Sequence, residues 1–154
     1  MPITNDDLFG YSTQMTAISG TATLAAAGFN AQAEATSLSA TNHFDYPAAD
    51  AVLYASFSTS VSSASNYVQL YRRELNIDST NDAPQPQSAA PAYSNTYVGA
   101  FVIPPFTAAS AGYFALPDVP LYAQCEFYIE NKTNASIVSG YTVKLTPKTQ
   151  KPST

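Results

Sequence analysis

Tryptophan is absent from this chain, histidine and cysteine occur once each, and charged residues make up only 11% of 154 positions. The lone Cys125 excludes an internal disulfide, so stability must come from packing, from an oligomer interface or from docking on a larger body. Six Lys+Arg stand against eleven Asp+Glu, a net charge of −5. That balance argues against nucleic acid or an anionic membrane as partner, since no basic patch exists to displace counterions. No stretch approaches the roughly 20 apolar residues of a membrane span. The opening Met1-Pro2-Ile3-Thr4-Asn5-Asp6-Asp7 places acids where a secretory signal needs cations and an apolar run, which implies synthesis in a cytoplasm.

What the chain does have is small and weakly polar. Ala, Ser and Thr supply more than a third of it, while Leu, Ile, Val and Phe supply only a fifth. Eleven tyrosines add the large apolar surface that a core of this size still needs. One compact domain is the default at this length, with a surface suited to contact more than to solubility.

Residues 1–45 show no clear period, and Thr21 to Ala27 fits a strand or a short helix equally well, so 1–45 reads as an irregular arm or edge segment packed on the domain. From Ala48 the pattern sharpens. Ala51, Leu53, Ala55 and Phe57 alternate with Val52, Tyr54, Ser56 and Ser58, the period of a strand. Asn66 to Leu75 is apolar on both parities, which predicts a central strand with protein on both faces. Tyr97 to Ile103 and Gly112 to Leu116 read as strands punctuated by Pro104-Pro105 and by a turn at Pro117-Asp118-Val119-Pro120. Tyr122 to Glu130 sets Cys125, Phe127 and Ile129 against Glu126, Tyr128 and Glu130, and Ile137 to Leu145 closes the set. The expected fold is all-β, a β-sandwich of jelly-roll or Greek-key type over 46–146. Between Asn76 and Thr96 a long Pro-rich arm carries Asp78, Asn81, Asp82, Pro84, Pro86, Pro91 and Tyr93 without apolar periodicity. Such a loop in a compact domain is usually functional or disordered. The stretch from 147 to 154, with Pro147 and Pro152, reads as a flexible tail or one laid across a neighbour.

Catalytic chemistry finds little to work with. His43 lies two residues from Asp45, but no nucleophile elbow accompanies them, and neither is assigned a catalytic role. Cys125 shares a strand side with Phe127 and Ile129, which marks a buried small hydrophobe. Glu126 and Glu130 are about 13 Å apart along an extended strand, too far for a glycosidase pair. They are expected to form a solvated or partner-facing stripe with Tyr128. Asp78, Asn81 and Asp82 lack the glycine and glutamate of a calcium loop, so no metal and no cofactor is expected. Asn131-Lys132-Thr133 and Asn134-Ala135-Ser136 match glycosylation sequons but read better as a polar turn. Tyrosines could stack a sugar ring, although alternating Tyr is also ordinary sheet packing.

One resemblance runs through Tyr71-Arg72-Arg73-Glu74-Leu75-Asn76-Ile77-Asp78, Asn81-Asp82-Ala83-Pro84, Tyr97-Val98-Gly99-Ala100-Phe101, Val119-Pro120-Leu121, Glu126-Phe127-Tyr128-Ile129-Glu130-Asn131-Lys132-Thr133 and Thr146-Pro147-Lys148. The chain resembles the jelly-roll cement or decoration proteins on the heads of tailed bacteriophages, over roughly residues 66–148. The resemblance implies a non-enzymatic structural protein of the virion, made in the host cytoplasm and placed on the outer capsid surface. It further implies that the protein bridges neighbouring major capsid protein subunits, as a homo-oligomer with a trimer favoured. A tail-fibre or other adhesin domain that binds carbohydrate is the alternative. The partner-contact candidates are the arm residues Asp78, Asn81, Asp82, Pro84, Pro86, Pro91 and Tyr93, with Tyr97, Glu126, Tyr128 and Glu130.

Overall fold

A computed structural model describes residues 9–38, 46–75, 80–86, 97–121 and 124–150. Eight strands run through them: β1 (Phe9–Tyr11), β2 (Met15–Ser19), β3 (Ala48–Phe57), β4 (Tyr67–Glu74), β5 (Tyr97–Val102), β6 (Ser110–Pro120), β7 (Cys125–Asn131) and β8 (Thr142–Gln150). Among the described residues the only helical element is a single 3-10 turn, Gln32–Glu34. No helix there is long and apolar enough to cross a membrane.

The strands form two antiparallel sheets, one in the order β1-β8-β3-β6 with β2 also paired to β8, the other in the order β5-β4-β7. After β2 the path moves between them, with β3 in the first sheet, β4 and β5 in the second, β6 in the first, β7 in the second and β8 in the first. Period-two alternation decides which residues turn inward. Ala49, Ala51, Leu53, Ala55 and Phe57 of β3 are buried and their neighbours are not. They share one core with Val143 and Leu145 of β8, Val68 and Leu70 of β4, Phe101 of β5, and Phe127 and Ile129 of β7. The all-β expectation therefore holds in its coarse form, two antiparallel sheets over a common core, the arrangement of a sandwich.

Residues 24–38 make no long strand, yet they close one side of it. Leu38 exchanges both backbone hydrogen bonds with Cys125, at 2.8 and 3.0 Å. The Asn30 N–H donates to the Ile129 carbonyl while Asn30 Oδ1 accepts from the Ile129 N–H at 2.7 Å, so a side-chain amide completes a pairing that the backbone leaves open. Ala27 and Gly28 do the same for Asn131 through backbone groups alone. The free edge of β7 is thus covered by a segment with no strand periodicity of its own.

Three expectations change. The turn foreseen at Pro117-Asp118-Val119-Pro120 is part of β6: Ala49 pairs with Val119 and Ala51 with Leu116, so Pro117 and Asp118 together oppose Asp50. This is a β-bulge, with Asp118 at φ 57°. The strand foreseen over Ile137 to Leu145 begins at Thr142. Ile137 instead forms isolated bridges to Leu24 and Phe57. The tail foreseen from 147 is still strand through Gln150, because β1 and β3 supply pairing partners for it. Positions 151–154 lie outside the described residues.

Candidate functional site

The outer face of the three-stranded sheet holds the residues that the sequence pointed to. β4 and β7 pair in the register Gln69↔Glu130, Tyr71↔Tyr128 and Arg73↔Glu126, which brings three polar or aromatic pairs onto one face. The expected solvated stripe is absent: every residue of β7 is buried, with Tyr128 at 0%, Glu126 at 6% and Glu130 at 7% exposure. Residues covering that face include Phe29, whose ring centroid lies 5.3 Å from that of Tyr71, and Ser37, whose hydroxyl donates to Glu126 Oε1 at 2.7 Å.

Burial of two carboxylates demands partners, and they are present. Glu126 Oε2 accepts from Arg73 at 3.0 Å and from the Tyr128 hydroxyl at 2.8 Å. Glu130 Oε2 accepts from the Tyr71 hydroxyl at 2.9 Å, and Lys132 donates to Oε1. Burial first, then the adjacent carboxylate, pushes the Tyr128 and Tyr71 hydroxyls far up, so both remain protonated donors. Arg73 is held above its ordinary range by Glu126 and Tyr128 in spite of its own desolvation. This layer is a cross-tie between strands and the covering segment, with its polar atoms already engaged.

The Pro-rich arm is described only over 80–86; Asp78, Pro91 and Tyr93 lie outside the described residues, as do His43 and Asp45. What is described is tied back to β4. The Ala83 N–H donates to the Glu74 carbonyl at 2.9 Å, Arg73 Nε donates to the Ala83 carbonyl at 2.7 Å, and Arg73 meets Asp82 at 3.4 Å. Asn81, Asp82 and Pro84 are exposed and Pro86 is buried. Tyr97 is 46% exposed on β5, its ring edge-on to Tyr71.

Cys125 is buried at 0% exposure as a free thiol. Asn131 of the first sequon is fully buried, its Nδ2 donating to the carbonyls of Leu24, Ala25 and Ala135 and its Oδ1 accepting from Thr133. Asn134 of the second is exposed and bridges to Ser60 and Ser62. No group of three or more His, Cys, Asp or Glu placed to hold a metal ion occurs among the described residues.

The sequence reading missed a second surface. On the outer face of the five-stranded sheet, Val52, Tyr54, Tyr113, Thr142, Lys144 and Gln14 line an open depression of about 280 Å³. The β3–β6 register sets Tyr54 directly opposite Tyr113, with ring centroids 5.1 Å apart and a 45° tilt. The β3–β8 register places Thr142 and Lys144 across from Tyr54 and Val52. Tyr113 is the most exposed large apolar residue among those described, at 76%. The outward parity of Tyr54 is visible in the sequence, but its pairing with residues 59 and 88 positions on is set by the fold. Family models, curated proteins and solved structures were compared with the chain, and none matches it.

Proposed function

We propose that this chain is a structural protein that acts by contact, a decoration protein that sits on the outer capsid surface of a tailed phage and bridges neighbouring major capsid protein subunits. On this reading the sandwich has jelly-roll connectivity, the Pro-rich arm reaches the shell or a sister copy, and the protein works as a homo-oligomer, a trimer being favoured. The observation that carries the proposal is the asymmetry of the two sandwich sides. Residues 24–38 cover β7, whereas β5 and β6 stand at the edges of their sheets with no further strand beside them among the described residues. A sheet edge with no further strand paired to it leaves backbone groups that another chain can pair with. Val102, 66% exposed on β5, and the exposed Ser110 on β6 lie along these edges.

The test is retention on expanded, undecorated heads assembled from the major capsid protein encoded alongside this chain. Wild-type protein should co-sediment with the heads. A Val102→Lys/Ser110→Lys double variant should lose at least tenfold in affinity while its melting point stays close to that of the wild type, since exposed substitutions alter stability by about 0.5 kcal/mol or less. Undiminished retention of the double variant would remove the edges from the contact. Failure of the wild type to bind heads at all would shift the reading to the adhesin alternative.

A further inference from the structure

We propose that the depression on the outer face of the five-stranded sheet is a binding site for an acidic sugar, a pyranose carrying a carboxylate. The inference stands on that face alone and does not depend on where in a virion the chain sits. Its floor is aromatic. Tyr113 packs against Tyr54 at a 45° tilt yet is 76% exposed, so most of its surface is open to solvent, and a pyranose offers one apolar C–H face to lie against such a ring. The rim is polar. The Thr142 hydroxyl can both give and accept hydrogen bonds, and Gln14, whose amide nitrogen leans on Thr146 at 3.4 Å, keeps its carbonyl oxygen for a ligand hydroxyl. At about 280 Å³ the space sits at the lower end of ligand-site volumes, and its open form suits a ring that keeps one side in water.

Lys144 decides the charge of the ligand. The other cations among the described residues are all committed to acids: Arg72 to Glu74, Arg73 to Asp82 and Glu126, Lys132 to Glu130, and Lys148 to Asp50 and Asp118. Lys144 forms no ion pair among the described residues and is exposed at the depression. In a chain of net charge −5, an uncommitted ammonium beside an open aromatic pair is a place for a carboxylate from outside. An acidic peptide would use the charge but has no need of the ring face, and this is what separates the two ligand classes.

The experiment titrates wild-type protein with digalacturonate, with its neutral methyl ester and with triglutamate, using saturation-transfer NMR and calorimetry. Digalacturonate should bind, with transfer strongest to the C–H protons of one ring face, and the neutral ester should bind about 3–10-fold more weakly. Tyr113→Ala should reduce binding of both sugars at least tenfold without lowering the melting temperature. Lys144→Met should erase the preference for the acid while leaving the ester unchanged. Triglutamate binding as well as digalacturonate, or sugar binding unaffected by Tyr113→Ala, would overturn the proposal, as would no binding of any sugar at 10 mM, on the order of ten times the weak end of ordinary ligand affinity.

Discussion

Glu34 is a carboxylate buried to 5% exposure with no cation beside it in the described structure. Neutral donors hold it: the N–H groups of Thr21, Ala22 and Ala31 at 2.7, 3.0 and 3.1 Å, the Thr21 hydroxyl at 3.1 Å and the Tyr141 hydroxyl at 2.8 Å. Burial alone would raise its pKa, but the combined hydrogen bonds outweigh burial and hold the group below its ordinary value. A carboxyl whose folded pKa is lowered contributes stability that is complete above its unfolded pKa, about 4.3, and is lost as pH falls through the folded value. Glu34→Gln should therefore destabilise the protein by about 1–3 kcal/mol at pH 7. The difference from wild type should shrink by pH 3, read from urea midpoints at the two pH values; a constant difference would show that charge is not what the donors hold. Gly20 makes the arrangement possible, because a Cβ there would run into the Tyr141 ring that reaches Glu34. None of this is legible in the sequence. Gln32-Ala33-Glu34 has no partner pattern around it, and Tyr141 lies 107 positions away.

At the scale of elements, alternation succeeds where a strand has one inward face and fails where the chain departs from regular pairing. β3, β4, β5 and β7 fall within or close to the runs that the sequence marks, since Leu53, Leu70, Phe101 and Phe127 all point into the core. Pro117 and Asp118 carry turn chemistry, and they do disturb the backbone, but as a bulge between continuing stretches of one strand. The bulge puts Asp118 within 2.7 Å of Lys148, which also meets Asp50 at 2.6 Å, so one ammonium joins β3, β6 and β8. Asp118 and then Asp50 raise the Lys148 pKa, which keeps the ammonium charged. Asp118 is 77% exposed, so the ion pair itself is worth little; the left-handed backbone is the stronger constraint. Asp118→Val should cost about 1–3 kcal/mol, because a β-branched side chain resists positive φ. Asp118→Gly should cost less than Asp118→Val in thermal or denaturant melts. Equal costs would assign the bulge to the Lys148 contact, which both variants lose, and the reverse order would overturn the argument from backbone φ. The burial of β7 escapes the sequence pattern for a related reason. Glu126 and Glu130 look like surface residues, and only Arg73, Lys132, two tyrosines and Ser37, drawn from three separate segments, make their burial affordable.

Across the whole molecule, protection is uneven. β7 has core on one face, the tyrosine and carboxylate layer on the other, β4 along one edge and residues 24–38 along the second. Among the described residues β6 has a partner strand along only one edge, and its side chains are exposed over much of its length. Backbone amides exchange with solvent deuterium through whichever opening is least costly, so the two strands should keep different clocks. Amides of Tyr128, which faces β4, and of Ile129, which faces residues 24–38, should exchange only through global unfolding, with opening free energies equal to that from denaturant melts. The second of these is bonded to a side chain, Asn30 Oδ1, and Asn30→Ala should drop Ile129 out of the slow class while leaving Tyr128 in it. Amides of 110–116 that do not face β3 should exchange within minutes in the isolated protein. If the open side is where another chain pairs, those same fast amides are the ones that assembly would slow, which makes isotope uptake along β6 a direct record of which edge the partner takes.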